Sequence, residues 1–246
     1  MHLKTDIFAH RGASKYAPEN TMPAFNLAYQ MGAEGIETDV QLTKDDIPVL
    51  IHDENVRRTS NGTGFVQDYT LRELQQLDAG TWFSKQFKDT RIPSLEEFLR
   101  WAKTKKLLIN LELKNNVLEY KGMEKIVNQY VNFFHLSDST IITSFNSDSV
   151  MKYNTINCSI STGLLTSQKS KDLPSYAKDL GADSLHIKYR LLNRKLVRQC
   201  QQHNINLRVY TVNQPSQMTR CMKLGCDGII TDVPDIALKQ RDKLTN

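Results

Sequence analysis

The chain has 246 residues, of which 39% are hydrophobic and 24% charged, and a formal net charge of +5. That length suits one large domain or two small ones, and the composition excludes a disordered chain. The positive excess is mild and forms no Lys/Arg-dense stripe, so nucleic acid is not an expected partner, while an anionic substrate is compatible. No apolar run approaches the ~18 residues of a spanning helix. Residues 1–6 contain no continuous apolar segment of the kind that opens a secretory signal. The expectation is a cytoplasmic protein without stable membrane insertion. Of the four cysteines, only Cys221 and Cys226 are close in sequence, with no His-rich partner segment. Zinc and a disulfide framework are therefore disfavoured, and small buried thiols are expected.

Taken in chain order, the first strand candidate covers 6–9 and stops at His10-Arg11-Gly12. Pro18-Glu19-Asn20-Thr21 reads as a helix start, with Asn20 or Thr21 as N-cap, Pro23 in the first turn and the helix over 21–31. A strand over 35–40 carries Glu37-x-Asp39, two acids on one face because strand side chains alternate. In "GIETDVQLTKDDIPVLIHD" too few residues separate that strand from the next, over 47–51, for a crossover helix. A hairpin about Lys44-Asp45-Asp46 is predicted instead, putting His52 roughly opposite Asp39. Residues 53–93 then break the rhythm, with a turn cluster "TSNGTG", a short helix in "TLRELQQL" opened by a Thr70/Glu73 capping box, and Trp82, Phe83 and Phe87. This insertion reads equally as a functional lid or as an ornamental subdomain with its own small core.

Ser94-x-x-Glu97 restarts the main pattern with a second capping box and a helix over 94–104. The strand over 107–113, "LINLELK" with its flank, puts Glu112 and Lys114 on one face. Further strands are predicted over 140–144, 161–165, 184–187, 206–211 and 228–231, with helices including 120–134, 192–203 and 215–224. Asn193, Arg194, Lys195 and Arg198 form a basic helix segment that reads as a solvated face. Gly32, Gly181 and Gly225 sit between helix and strand, where a left-handed C-terminal residue belongs. This alternation predicts one domain: a somewhat irregular TIM-type (β/α)8 barrel with 53–93 inserted after the third strand. The hairpin accounts for the ninth strand. A doubly wound sheet is the runner-up, but no G-x-G-x-x-G follows the first strand.

Taken singly, the polar residues at the strand ends have ordinary readings. A histidine there is usually structural, and Glu112 with Lys114 could be a plain ion pair. Their coincidence is informative, because barrel enzymes keep their sites at strand termini. His10 and His52 could divide acid and base work near neutral pH. Glu37, Asp39 and Glu112, if they meet in the barrel mouth, form an all-oxygen site suited to Mg²⁺ or Ca²⁺ and not zinc. Together with Arg11 and Lys114 this is the set that phosphodiester cleavage requires.

The segments "HRGASKYAPENT", "GIETDVQLTKDDIPVLIHD", "RTSNGTG", "LINLELK", "YTVNQ" and "GCDGIITDVP" resemble, in order, the glycerophosphodiester phosphodiesterase family. The resemblance covers about 8–234, is strongest before Lys114 and thins over 121–192. It implies a TIM-type barrel with a small inserted cap after the third strand. It places His10 and His52 in the acid–base positions, Glu37, Asp39 and Glu112 in the metal positions, and Arg11 and Lys114 on the phosphate. It implies one divalent cation, Mg²⁺ or Ca²⁺, with Mn²⁺ also fitting. The substrate would be a small glycerophosphodiester such as glycerophosphocholine or glycerophosphoethanolamine, cleaved to sn-glycerol 3-phosphate and an alcohol. The neighbouring glycerol hydroxyl is a possible first nucleophile, giving a cyclic phosphate that water opens. Two departures stand out. Asp46 takes the place of a frequent turn glycine. Tyr210 stands where many relatives carry tryptophan, either beside the substrate or as core filling. Two other readings differ in kind: a lysophospholipase D-like enzyme, which an apolar face on the insertion would favour, and a non-catalytic phosphodiester-binding barrel, which loss of a histidine or acid would favour.

Overall fold

The computed structural model describes residues 5–245; residues 1–4, part of the stretch read above for a signal segment, lie outside them. From the N-terminal side the elements are β1 (Asp6–His10), α1 (Met22–Gln30), β2 (Gly35–Leu42), β3 (Pro48–Leu50), α2 (Leu71–Leu74), α3 (Leu95–Ala102), β4 (Leu108–Leu113), α4 (Met123–Phe133) and β5 (Thr140–Ser144). They continue as α5 (Ser147–Ile156), β6 (Ser161–Thr166), α6 (Leu173–Asp179), β7 (Ser184–Lys188), α7 (Arg194–His203), β8 (Asn206–Tyr210), α8 (Pro215–Leu224), β9 (Gly228–Thr231) and α9 (Pro234–Thr245).

Eight strands run parallel in the order β1-β9-β8-β7-β6-β5-β4-β2, and β1–β2 pairing closes the barrel. The ninth, β3, pairs antiparallel with β2, Leu50 facing Val40. The predicted hairpin is thus present, and Asp46 holds its turn with φ 58°, a left-handed conformation that aspartate tolerates better than most residues. Ile51 N–H donates to Asp39 O at 3.1 Å, so His52 lies one residue beyond the position opposite Asp39.

The helices follow from the apolar spacing. In α3, Leu95, Phe98, Leu99 and Ala102 recur on one face and are buried against the sheet. The Ser94 hydroxyl accepts the Glu97 N–H at 3.1 Å. Only this half of the second predicted capping box forms, and the Ser94 backbone is bridged to Val49. At α2 the Thr70/Glu73 box is complete. Leu196, Val197 and Cys200 bury the inner face of α7, while Asn193, Arg194, Lys195 and Arg198 are exposed as read. Gly32, Gly181 and Gly225 have φ of 86°, 77° and 81°. Cys200, Cys221 and Cys226 are buried thiols, but Cys158 is exposed, because it lies in the turn between α5 and β6 and not on a packed face.

Two apolar clusters fill the space between sheet and helices, one around α1, α3 and α4 and the other around α6 to α9. Inside the barrel, alternation sends the other set of side chains inward. Phe8 packs there with Ile141 and Ile230. Gly35, its partner in register, leaves it room, since a Cβ at Gly35 would lie 2.4 Å from the ring. The Arg208 guanidinium lies 5.4 Å above Phe8, beside a fully buried His186. This packed floor makes the C-terminal mouth the place for a ligand. Residues 53–93 contribute Val56, Val66, Leu74, Ala79 and Ile92 to a small cluster that includes Val49 and Ile51 of the hairpin.

Candidate active site

The abrupt end of β1 has a backbone cause. Arg11 and Gly12 are both left-handed, with φ of 56° and 82°. A Cβ at Gly12 would lie 2.7 Å from the backbone of Ala24, so glycine is what lets α1 close against the turn. The turn is pinned by Arg11 N–H, which donates to Glu37 O at 2.8 Å. His10 is left at the mouth, where its Nδ1–H donates to Asp232 Oδ1 at 2.6 Å and its Nε2 lies 4.0 Å from Glu37 Oε2. Asp232 also accepts from Ser14 Oγ at 3.2 Å. His52 is held the same way: Nδ1–H donates to Asp53 Oδ1 at 2.6 Å, and Nε2 accepts from Lys114 Nζ at 3.2 Å. Each imidazole therefore has a carboxylate on Nδ1 and presents Nε2 inward, an arrangement that fixes tautomer and ring angle.

Glu37, Asp39 and Glu112 meet between these rings, each with an oxygen within 4.8 Å of the others, and all three are buried. Asp39 and Glu112 are direct partners across β2 and β4. Burial pushes the Glu37 carboxyl well above the usual range, reinforced by Asp39 and Glu112 and only partly offset by Arg11. Burial and Asp39 likewise raise Glu112, although Lys114 donates to it at 2.8 Å. Burial works against the Asp39 charge too, but Arg11, His52, Lys114 and the Asn20 amide together hold that group down to about 2. The triad is a frustrated set of like charges. Among the described residues, buried Asp39 Oδ1 has no hydrogen-bond partner, Lys114 Nζ lying 3.9 Å away. An orphaned oxygen among three converging carboxylates fits a hard divalent cation bound through oxygen.

Of the two N-cap candidates, Asn20 turns into this site. Its amide donates to Asp39 Oδ2 at 2.9 Å and accepts from Thr38 Oγ1 at 2.7 Å. Thr21 takes the N-cap position, but its hydroxyl donates to Pro18 O at 2.6 Å and makes no cap bond. Burying the acid outweighs capping, because an unsatisfied buried carboxylate costs more than an uncapped first turn.

A second network ties the insertion to the site. Arg58 donates to both oxygens of Glu19, each at 2.8 Å, and to both oxygens of Asp53, at 2.6 and 3.1 Å. Glu19 also accepts from Arg11 Nη1 at 2.8 Å. Burial disfavours the Asp53 charge, but Arg58 and His52 bring its pKa down to about 2. One guanidinium thus orients the carboxylates that hold His52 and Arg11. Burial, with Arg11 and Lys114 adding repulsion, lowers the His52 pKa against the pull of Asp39 and Asp53.

His10, Arg11, Glu37, His52 and Glu112 line a cavity of about 440 Å³. Asp39 and Lys114 do not line it; they brace Arg11, Glu112 and His52 from below. Tyr210 does line it. Its ring packs edge-on to Phe145 with centroids 6.1 Å apart, and its hydroxyl donates to Thr166 O at 3.1 Å. Tyr210 also packs against Phe8, Ile141 and Ile230 inside the barrel, so one ring both fills the core and walls the cavity. Asn110, Phe145, Lys188, Arg190 and Gln217 also face the cavity. They carry no motif-like signal, and position at a strand end was the only available clue.

Residues 10–236 match the Glycerophosphoryl diester phosphodiesterase family. The chain belongs to this family. It is 41% identical over 233 residues to a glycerophosphodiester phosphodiesterase of Caldanaerobacter subterraneus subsp. tengcongensis, covering 95% of this chain and 96% of that one. It is 38% identical over 243 residues to the Bacillus altitudinis glycerophosphodiester phosphodiesterase, covering 98% and 99%. A solved Oleispira antarctica phosphodiesterase, in complex with its product sn-glycerol-3-phosphate, superposes with a TM-score of 0.90 at 28% identity, covering 96% of both chains. The TIM-type fold and the family predicted from the sequence both hold. Among the described residues no helix is long and apolar enough to cross a membrane.

Proposed function

We propose that the protein hydrolyses small glycerophosphodiesters to sn-glycerol 3-phosphate and an alcohol, with one divalent cation, Mg²⁺, Ca²⁺ or Mn²⁺. The observation that carries this reading is the pair of carboxylate-anchored histidines presenting Nε2 on either side of the three-acid cluster. A cation held by Glu37, Asp39 and Glu112 would supply charge neutralisation for the phosphoryl oxygens.

The chain's own groups carry the rest. Burial and the nearby Arg11 and Lys114 charges favour neutral His52, which suits it to take the proton from the attacking hydroxyl as the new O–P bond forms. His10 is anchored through Nδ1 by Asp232 at 2.6 Å and turns Nε2 toward the acid cluster, 4.0 Å from Glu37 Oε2. It is suited to protonate the departing alcohol oxygen as the P–O bond breaks. Arg11 at the cavity wall, with Lys114 adding positive charge from behind, offsets the negative charge that builds on the phosphoryl oxygens, and Arg58 with the rest of the 53–93 insertion, read as a cap, keeps His52 and Arg11 aimed.

The test is release of sn-glycerol 3-phosphate from glycerophosphocholine, glycerophosphoethanolamine and a lysophospholipid, with chelator and with each cation restored. The expected result is cation-restored release from the tail-free diesters. Activity indifferent to chelator would sink the metal assignment, and release confined to the lysophospholipid would replace this reading by the lysophospholipase D one.

A further inference from the structure

We infer that the preferred substrate carries a phosphate on its alcohol arm, held by Lys188 and Arg190 at the end of β7. This rests on the diesterase reading above and names its substrate class.

The topology gives that arm a path. In the closed order β1-β9-β8-β7-β6-β5-β4-β2, strand β7 lies four steps from β2 by either route, directly across the mouth. Glu37 and Asp39 sit on β2. Glu37, Glu112, Lys188 and Arg190 line one cavity, so one arm of a phosphodiester bound at the acid cluster has room to extend toward β7.

The charges at the two ends are held differently. Near β1 and β2 each cation has its acid: Arg11 lies against Glu19 and Asp39, Lys114 against Glu112, and Arg58 against Glu19 and Asp53. Among the described residues, the ion pairs within 4.0 Å include neither Lys188 nor Arg190. Arg190 Nη2 donates to Ser167 O at 2.7 Å, which orients the guanidinium and, among the described residues, leaves its other donors open. A planar fork beside an ammonium matches the oxygens of a phosphate.

The aromatic pair does not reverse this preference. Phe145 and Tyr210 could receive a quaternary ammonium. However, Tyr210 is the direct register partner of Lys188, so a cationic headgroup on that ring would sit beside a like charge. A neutral arm leaves both cations solvated and gains nothing from them. A phosphorylated arm satisfies them, and it is the arm on which they confer selectivity.

The experiment compares kcat/KM, with cation present, for three diesters that share the sn-glycerol 3-phosphoryl half and differ in the arm: choline, glycerol and glycerol phosphate. In about 0.02 M salt the phosphorylated arm is expected to lead choline by roughly tenfold or more, and the lead to shrink in about 0.5 M salt. The charge-reversed double variant Lys188→Glu/Arg190→Glu is expected to move the ratio toward choline. A choline or glycerol arm cleaved as well as the phosphorylated one, or a ratio unmoved by the double variant, would overturn this inference while leaving the diesterase reading intact. Silence toward all three diesters overturns both.

Discussion

The mouth of the barrel has two unlike arcs. From β9 through β1 and β2 to β4, nearly every charged group is held by another: His10 by Asp232, His52 by Asp53, Arg11 by Glu19, Lys114 by Glu112. From β5 to β8 the wall is Phe145, Leu165 and Tyr210, with Lys188 and Arg190 outside any ion pair among the described residues. Groups that must act at fixed angles are over-determined, at the cost of burying like charges. Groups that only meet a variable portion of a ligand are left open. The first arc is suited to chemistry and the second to selection.

The largest effects are expected on the first arc. His10→Ala or His52→Ala should lower kcat by about a thousandfold, within the range for lost acid–base catalysis, with thermal unfolding little changed. Next comes the acid cluster. Glu37→Gln or Glu112→Gln should abolish the rise in Tm that a divalent cation produces, a stabilisation of about 2.7 kcal/mol at a hundredfold excess over Kd. The sign of its pH dependence follows from the raised carboxyls. In the metal-free protein Glu37 and Glu112 bind protons more tightly than they do unfolded, so their contribution is present below the ordinary carboxylate range and is lost as pH rises, through about 7 for Glu112. The cation should therefore stabilise more at about pH 8 than at about pH 5.5. Equal shifts at both would show that the acids do not compete for protons with a cation.

Arg58→Gln should lower kcat by roughly tenfold, and Arg58→Lys should not restore it, because lysine cannot fork between two carboxylates. A smaller effect reports on the same residue. Asp53 is depressed to about 2, so its contribution to stability is present above about 4 and disappears as pH falls toward 2. Asp53 is partly exposed, so the difference in urea midpoint between wild type and Arg58→Gln should be modest at pH 7 and should vanish near pH 2. The smallest effect is expected on the second arc. Tyr210→Phe removes one hydrogen bond to Thr166 O and should change KM by less than about threefold. A larger loss in kcat than in KM would place Tyr210 among the chemical groups and blur the division between arcs.

Much of the first arc was legible in sequence because it is local. Glu37 and Asp39 alternate on one strand, Glu112 and Lys114 on another, and Asp53 follows His52 directly. What was not legible involves residues far apart in the chain. Asp232 reaches His10 across 222 positions, and Arg58 reaches Glu19 across 39. The choice between Asn20 and Thr21 as N-cap was not legible, because Asn20 is drawn to a buried acid that only the closed barrel delivers to it, and Thr21 takes the N-cap position. The strand ends on β6 to β8 were placed correctly to within one residue, yet their side chains announced no role.

The sequence by itself determined the strand and helix alternation, the hairpin at Asp46 and the types of group available for catalysis. These depend on periodicity and backbone sterics, which act over a few residues. Tertiary structure alone decided which carboxylate steadies which histidine, that three acids share one buried space, and that two cations outside any ion pair among the described residues stand opposite them. Those are consequences of closing β1 onto β2, which converts distance along the chain into adjacency around a ring.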